Sequence, residues 1–275
     1  MIAAKMQIMD CSDSGFVHTP TKRAREECAH PVSYQCKCVL CDEFMGNNHG
    51  MAFEYVQPTL RITKSRADFI RRMRTSDMVK AGKLHLVLDL DNTLLHTVSL
   101  DKKAQALVPG RQDLLAKGRD LFLINDEFLT KLRPFLKEFL KEASTMFEMT
   151  VYTMGISIYG NSMVKLIDPN RSYFYDRVIT REDCTTRGRK NLDVVLAEET
   201  NVIIIDDRRD VWPEHGANLI QIKPYHYLSK ERAVDNDNDW ALPDILKKLR
   251  VIHWAYFSPE LGIRDVRTLL KLIED

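Results

Sequence analysis

The stretch that decides the fold is Leu84-His85-Leu86-Val87-Leu88-Asp89-Leu90-Asp91, a short apolar run that ends in carboxylates. A run of this kind is typical of a strand buried on both faces of a parallel sheet. Later segments predict four more strands: 147–153 (FEMTVYT), 177–180 (RVIT), 201–207 (NVIIIDD) and 218–222 (NLIQI).

A helix separates the first two predicted strands. The segment 134–142 (PFLKEFLKE) begins with a proline, which the first turn of a helix tolerates, and continues with apolar residues at helical spacing. Strands that alternate with helices favour an α/β fold with a mainly parallel central sheet flanked by helices.

Polar side chains follow the apolar runs at the points where these strands end. Asp89 and Asp91 follow the first run, Thr153 ends the second, and Asp206 and Asp207 end the third. The carboxyl ends of parallel strands meet at one edge of a sheet, where ligands of such folds bind. We therefore expect these side chains to form one site.

The residue types at this edge point to phosphate chemistry. Two neighbouring carboxylates repel each other, so Asp89 and Asp91 differ in proton affinity and suit the roles of nucleophile and acid/base. Four carboxylates together favour a divalent cation with oxygen ligands, above all Mg²⁺. Thr153, the backbone amide of Gly155 and Lys190 offer groups that bind phosphate oxygens.

These motifs resemble a known family. Asp89-Leu90-Asp91-Asn92-Thr93 is similar to the D-x-D-x-T motif of aspartate-nucleophile phosphatases in the haloacid dehalogenase superfamily. More narrowly, the ordered series resembles FCP-type phosphatases that act on the carboxy-terminal domain of RNA polymerase II. The matching segments are 89–94 (DLDNTL), 131–134 (KLRP), 151–155 (VYTMG), Lys190, 205–208 (IDDR) and 211–212 (VW).

The resemblance implies a Rossmann-like fold and a set of catalytic roles. Asp89 would attack phosphorus and form an aspartyl phosphate, and Asp91 would protonate the seryl leaving oxygen and later activate water. Thr153 and Lys190 would bind the transferring phosphoryl group. Arg181 aligns with an arginine that binds substrate in the family, although Arg187 and Arg189 lie close to it in sequence.

The resemblance also implies a metal site and a class of substrate. Mg²⁺ would lie among Asp89, Asp207 and the backbone carbonyl of Asp91, with Asp206 supporting the metal or its waters. The gap from Thr93 to Thr153 is too short for a large cap domain, and an open cleft suits a flexible peptide. We therefore expect a serine/threonine phosphatase that acts on the phosphorylated polymerase tail in the nucleus.

Overall composition gives little support to other partners. The chain has 275 residues, with 40 Lys+Arg against 39 Asp+Glu, so no global charge favours direct nucleic-acid binding or a membrane surface. No apolar run reaches the roughly 18 to 20 residues of a membrane span, and the first residues lack a secretory signal. We expect an intracellular protein, and the basic string Lys22–Arg25 is a candidate nuclear localisation signal.

A cysteine and histidine cluster precedes the predicted domain. Cys28, His30, Cys38 and Cys41 offer four ligands with one C-x-x-C half-site, the minimum for structural zinc. The segment is similar to a short C-x-H-P…C-x-x-C element in plant members of the family. Cys36 could replace one ligand, and reduced free thiols are the alternative to a zinc site.

The sequence predicts four regions: a flexible segment with the Cys/His element (1–50), a basic helical lead-in (51–83), the catalytic domain (84–230) and a helical tail (231–275). Two other functions stay open. One is a non-catalytic adaptor that holds a phosphorylated peptide, which would not require Asp89 and Asp91. The other is a zinc-dependent nucleic-acid module in residues 1–83 beside a vestigial hydrolase.

Overall fold

The computed structural model describes residues 28–99, 120–124, 127–227 and 238–274. The Lys22–Arg25 string and most of the predicted flexible segment lie outside these residues. Among the described residues, no helix is both long enough and apolar enough to cross a membrane.

The first described region is a small antiparallel sheet followed by a helix. Its four strands have the order β2-β1-β4-β3. Because they extend from residue 32 to residue 62, the predicted division at residue 50 passes through this sheet, and the lead-in helix begins only after Thr63, whose side chain caps it. The elements are β1 (Val32–Tyr34), β2 (Lys37–Cys38), β3 (Met51–Ala52), β4 (Arg61–Ile62) and α1 (Lys64–Lys80).

The next region holds the first strand of the central sheet and an insert that the sequence pattern did not predict. Three of its strands form a separate antiparallel sheet with the order β6-β8-β7. In the described part of this region, the insert consists of that sheet and one helix, which agrees with the prediction that there is no large cap. The elements are β5 (Leu84–Leu88), β6 (Leu95–Ser99), β7 (Leu121–Ile124), β8 (Phe128–Leu132) and α2 (Leu136–Met146).

Five parallel strands form the central sheet, in the order β10-β9-β5-β11-β12. β5 lies in the middle of the sheet and is buried along its whole length, which explains its continuous apolar character. The α/β fold with a parallel sheet is therefore confirmed. The remaining elements of this region are β9 (Phe147–Tyr152), α3 (Ser157–Ile167), β10 (Val178–Ile179), β11 (Val202–Asp206) and β12 (Leu219–Gln221).

Two C-terminal helices complete the core on one side of the sheet. Helix α4 (Ala241–Phe257) packs against α2, and α5 (Val266–Glu274) packs against α4. Leu242 and Leu249 of α4 are fully buried in the same apolar cluster as Leu86 of the central strand. The described part of the predicted tail is helical, and it is built into the core of the domain.

Candidate active site

Asp89 and Asp91 lie where the chain leaves the middle of the central sheet. The Asp89 backbone amide donates to the Ile205 carbonyl at 3.0 Å, so Asp89 still pairs with β11. The chain then turns through Asn92, whose φ of 62° is left-handed. Burial raises the pKa of Asp89 to about 7 and also raises the pKa of Asp91.

Lys190 bridges two carboxylates beneath this turn. Its Nζ donates to Asp89 Oδ1 at 2.6 Å and to Asp206 Oδ2 at 2.6 Å. Burial lowers the pKa of this lysine, but the two carboxylates outweigh that effect and the pKa is raised. The structure thus brings together residues that lie 101 positions apart in sequence, as the motif order predicts.

The acidic residues at the strand ends form a cluster suited to a hard cation. Asp89, Asp206 and Asp207 are buried, and each offers a carboxylate oxygen within 4.8 Å of the others. Burial, followed by the charge of Asp206, raises the pKa of Asp207. Buried carboxylates at this spacing fit Mg²⁺, which prefers oxygen ligands and would offset their repulsion.

The side chain of Asp206 is also held by protein donors. Its Oδ1 accepts from the Arg208 backbone amide at 2.8 Å, and its Oδ2 accepts from the Trp212 indole Nε1 at 2.9 Å as well as from Lys190. Sequence reasoning treated Trp212 only as a packing residue. The indole fixes the carboxylate that positions Lys190, so Asp206 is suited to orienting the lysine.

Asp91 has a partner that sequence reasoning missed. Its Oδ1 accepts a hydrogen bond from the Tyr159 hydroxyl at 2.5 Å. Tyr159 lies in the first turn of α3, and its ring passes so close to Gly155 that a Cβ there would lie 2.6 Å from Tyr159 Cδ1. The glycine of the 151–155 motif therefore allows the tyrosine to reach Asp91, which lies outside the group of three carboxylates.

Thr153 lies at the end of β9, the strand that pairs with β5. The Gly155 backbone amide donates to its Oγ1 at 2.9 Å, and Thr153 itself is fully buried. Because the hydroxyl oxygen accepts this bond, its proton can be directed to another acceptor, such as a phosphate oxygen.

Arg181 lies on the loop beside Thr153. Its backbone amide donates to the Gly155 carbonyl at 3.0 Å, and its exposed side chain donates through Nε to the Met154 carbonyl at 2.8 Å. The guanidinium therefore lies at the rim of the site, the position that the predicted substrate contact requires.

The turn that carries Asp91 is held from below by a buried arginine. Arg133 donates through Nη1 to the Thr93 carbonyl at 3.0 Å, and it forms a bidentate pair with Asp239 at 3.1 and 3.0 Å. Thr93 Oγ1 in turn accepts from the Asp207 backbone amide at 3.1 Å. Sequence reasoning noted Arg133 and Thr93 only as motif letters, and their supporting role emerges from these contacts.

The structure also brings together all four predicted zinc ligands. Cys28, His30, Cys38 and Cys41 each place one ligand atom within 4.8 Å of the others. The Cys36 thiol instead donates to Asn47 Oδ1 at 2.8 Å. The sequence alternative in which Cys36 replaces one ligand therefore has no support among these contacts.

With this geometry established, the chain can be compared with known proteins. Residues 84–258 match the family described as NLI interacting factor-like phosphatase. The chain belongs to that family. The match begins at β5 and ends just after α4, which agrees with the packing of α4 into the core.

Relatives of this NLI interacting factor-like phosphatase chain carry names that agree with the resemblance. The RNA polymerase II C-terminal domain phosphatase-like 4 of Arabidopsis thaliana is 39% identical over 91% of this chain and 62% of its own length. An RNA polymerase II C-terminal domain phosphatase of Encephalitozoon cuniculi is 34% identical over 74% of this chain and 47% of its own length. The chain thus spans about half to three fifths of these two relatives.

A solved structure supports the fold. The structure titled "The Structure of Fcp1, an essential RNA polymerase II CTD phosphatase" superposes with a TM-score of 0.62 and 23% identity, covering 74% of each chain. At this level of identity the likeness establishes the haloacid dehalogenase-like α/β fold alone.

Proposed function

We propose that this chain is a Mg²⁺-dependent protein serine/threonine phosphatase that works through an aspartyl phosphate on Asp89. One observation carries the proposal: Asp89 is buried at the end of the central strand, where Lys190 contacts it at 2.6 Å and two further carboxylates lie within 4.8 Å. A nucleophile, a cation and a metal-binding group are thus gathered at one strand end.

The reaction takes place in two steps on the side chains of this chain. Asp89 attacks phosphorus while the bond from phosphorus to the seryl oxygen breaks, and Asp91 gives that oxygen a proton. Asp91, now ionised, takes a proton from water, whose oxygen attacks the phosphorus and breaks its bond to Asp89. Free phosphate leaves, and both aspartates return to their starting states.

The surrounding groups stabilise the charge on the transferring phosphoryl group. Lys190 supplies a fixed positive charge, and the Thr153 hydroxyl supplies a donor. Asp89, Asp207 and the Asp91 carbonyl would hold Mg²⁺, which when bound neutralises phosphate oxygens and the carboxylate cluster. Tyr159 holds the Asp91 carboxylate in place for proton transfer.

The substrate we propose is the phosphorylated carboxy-terminal domain of RNA polymerase II. The names of both relatives support this substrate, and they imply that the chain acts in the nucleus. Arg181, exposed at the rim, is the proposed contact to the phosphopeptide. Membrane and direct nucleic-acid partners are not part of the proposal.

The test uses a phosphoserine peptide with the polymerase heptad sequence, in Mg²⁺ or in chelator. We expect phosphate release only with Mg²⁺, and a loss of at least about a thousandfold in Asp89→Asn. Asp210→Asn is the matched control, because Asp210 lies on the loop after β11 but is exposed and pairs with Arg208. Metal-independent release, or full activity in Asp89→Asn, would sink the proposal.

A second measurement tests the covalent step. After a denaturing quench with labelled peptide, label should remain on the wild-type protein and be released by hydroxylamine, which cleaves acyl phosphates. Asp91→Asn should retain more label, because it lacks the base that activates water. Peptide binding without hydrolysis by the wild type would instead favour the phosphopeptide-binding adaptor.

A further inference from the structure

The N-terminal sheet carries a second group of ligands that takes no part in phosphate chemistry. We propose that Cys28, His30, Cys38 and Cys41 bind one structural Zn²⁺, which fastens β1–β4 to the catalytic domain. The site shares no residue with the acidic cluster. The proposal therefore stands or falls independently of the phosphatase activity.

The distances match those of a tetrahedral zinc site. Zinc–sulfur bonds of about 2.3 Å and zinc–nitrogen bonds of about 2.0 Å place neighbouring ligand atoms about 3.5 to 3.8 Å apart. Cys28 Sγ lies 3.7 Å from Cys38 Sγ, and Cys41 Sγ lies 3.3 Å from His30 Nδ1. Four protein ligands leave no position for water, so the site is structural.

Backbone amides prepare both half-sites for thiolates. The His30 amide donates to Cys28 Sγ and the Leu40 amide donates to Cys38 Sγ, both at 3.4 Å. In each half-site the donor lies two residues after the cysteine, so the chain wraps around the sulfur in the same way. Metal binding requires the thiols to release their protons to solvent, and these amides stabilise the resulting negative charge.

A second layer of contacts orients the histidine. Its Nδ1 faces Cys41, and its Nε2 lies 3.8 Å from Glu43 Oε2, the arrangement by which a carboxylate orients a metal-bound imidazole. The His30 carbonyl lies 2.6 Å from His49 Nε2, and Arg61 Nε donates to the His49 carbonyl at 3.1 Å. These contacts connect the ligand loop to β4.

The small sheet needs such a site because its own core is slight. Four of its buried apolar side chains pack with three from the catalytic domain: Val32, Phe53, Leu60 and Ile62 with Ala67, Ile70 and Leu196. The Tyr55 hydroxyl adds one bond to the Val194 carbonyl at 2.7 Å. Elements this small usually depend on a metal or a crosslink for stability. Zinc would thus fix the sheet against α1 and the segment before β11.

The test measures metal content under reducing conditions after dialysis against a mild chelator. We expect one zinc per chain in the wild type, and loss of zinc in Cys38→Ser and Cys41→Ser. Cys36→Ser is the matched control, because it removes a thiol from the same loop that bonds Asn47 and no ligand. No zinc in the wild type, or equal loss in Cys36→Ser, would overturn the proposal.

Two further measurements do not depend on whether a serine variant folds. Cobalt should replace zinc in the wild type and show the absorption of tetrahedral thiolate coordination, whereas octahedral cobalt would contradict the site. Metal removal should speed proteolytic cleavage within 28–62 while residues 84–258 stay protected. Unchanged cleavage would contradict the fastening role, and a Cys28–Cys38 disulfide in the reduced protein would contradict the metal site.

Discussion

At the scale of single residues, the buried carboxyl group of Asp89 predicts how stability depends on pH. Burial raises its pKa from 3.8 to about 7, so between these values the folded protein keeps a proton that the unfolded chain has released. The stabilisation is complete below the unfolded pKa and is lost as pH rises toward 7. The free energy of unfolding of metal-free protein should therefore fall over this range.

Urea denaturation in chelator at several pH values measures this effect. Asp89→Asn, which cannot ionise, should show a shallower fall than the wild type. Asp210→Asn should keep the wild-type slope, because Asp210 is exposed. Parallel curves for the wild type and Asp89→Asn would show that Asp89 ionises normally.

Tyr159 makes a second residue-scale prediction. Its hydroxyl donates to Asp91 and lowers the pKa of that carboxyl group, opposing the larger effect of burial. Tyr159→Phe removes this charge-assisted bond, so the pKa of Asp91 should rise and kcat should fall about tenfold at neutral pH. The acidic limb of the pH–kcat profile should move to higher pH. Tyr175→Phe, at an exposed tyrosine, should leave the profile unchanged.

The motif residues could be predicted from the sequence because parallel strands bring their carboxyl ends together. Asp89, Lys190 and Asp206 meet as that rule requires. Tyr159 and Trp212 could not be assigned, since their value lies in one hydrogen bond each, to Asp91 and to Asp206. No spacing rule encodes such contacts, and an aromatic residue in an apolar segment reads as packing.

At the scale of elements, helix α4 makes the clearest prediction. Leu249 is fully buried in the main core, whereas Val251 on the same helix is 51% exposed. Leu249→Ala should destabilise the protein by about 2–5 kcal/mol, because it leaves a cavity, and Val251→Ala should change stability little. Urea denaturation compares the two variants. Equal effects would mean that α4 is a peripheral tail.

The elements also show which patterns carry information. The central strands were predictable because burial on both faces leaves continuous apolar runs, as in β5. The strands β6 to β8 were missed because they alternate polar and apolar residues and stand beside segments without a clear pattern. The two-residue strands β2, β3 and β4 are too short to leave a periodic signature, so the division at residue 50 fell within their sheet.

At the scale of the whole molecule, the fold class followed from one repeated design, an apolar run ending in polar residues. The order of the strands in the sheet did not follow from it, since pairing depends on which faces the helices cover. The structure places β11 next to β5, and this neighbourhood brings Asp206 and Asp207 to Asp89. The sequence therefore indicated the ingredients of the site, and the sheet order assembled it.

The position of β11 beside β5 also has a consequence for biosynthesis. Asp89 leaves the ribosome long before Lys190, with which it pairs across 101 positions of sequence, and before the carboxylates at the end of β11. Non-local pairing of this kind forms late in folding. A nascent chain can thus assemble β10, β9 and β5 and still lack the cation that neutralises Asp89. Catalytic competence should appear in a single late event, when β11 joins the sheet.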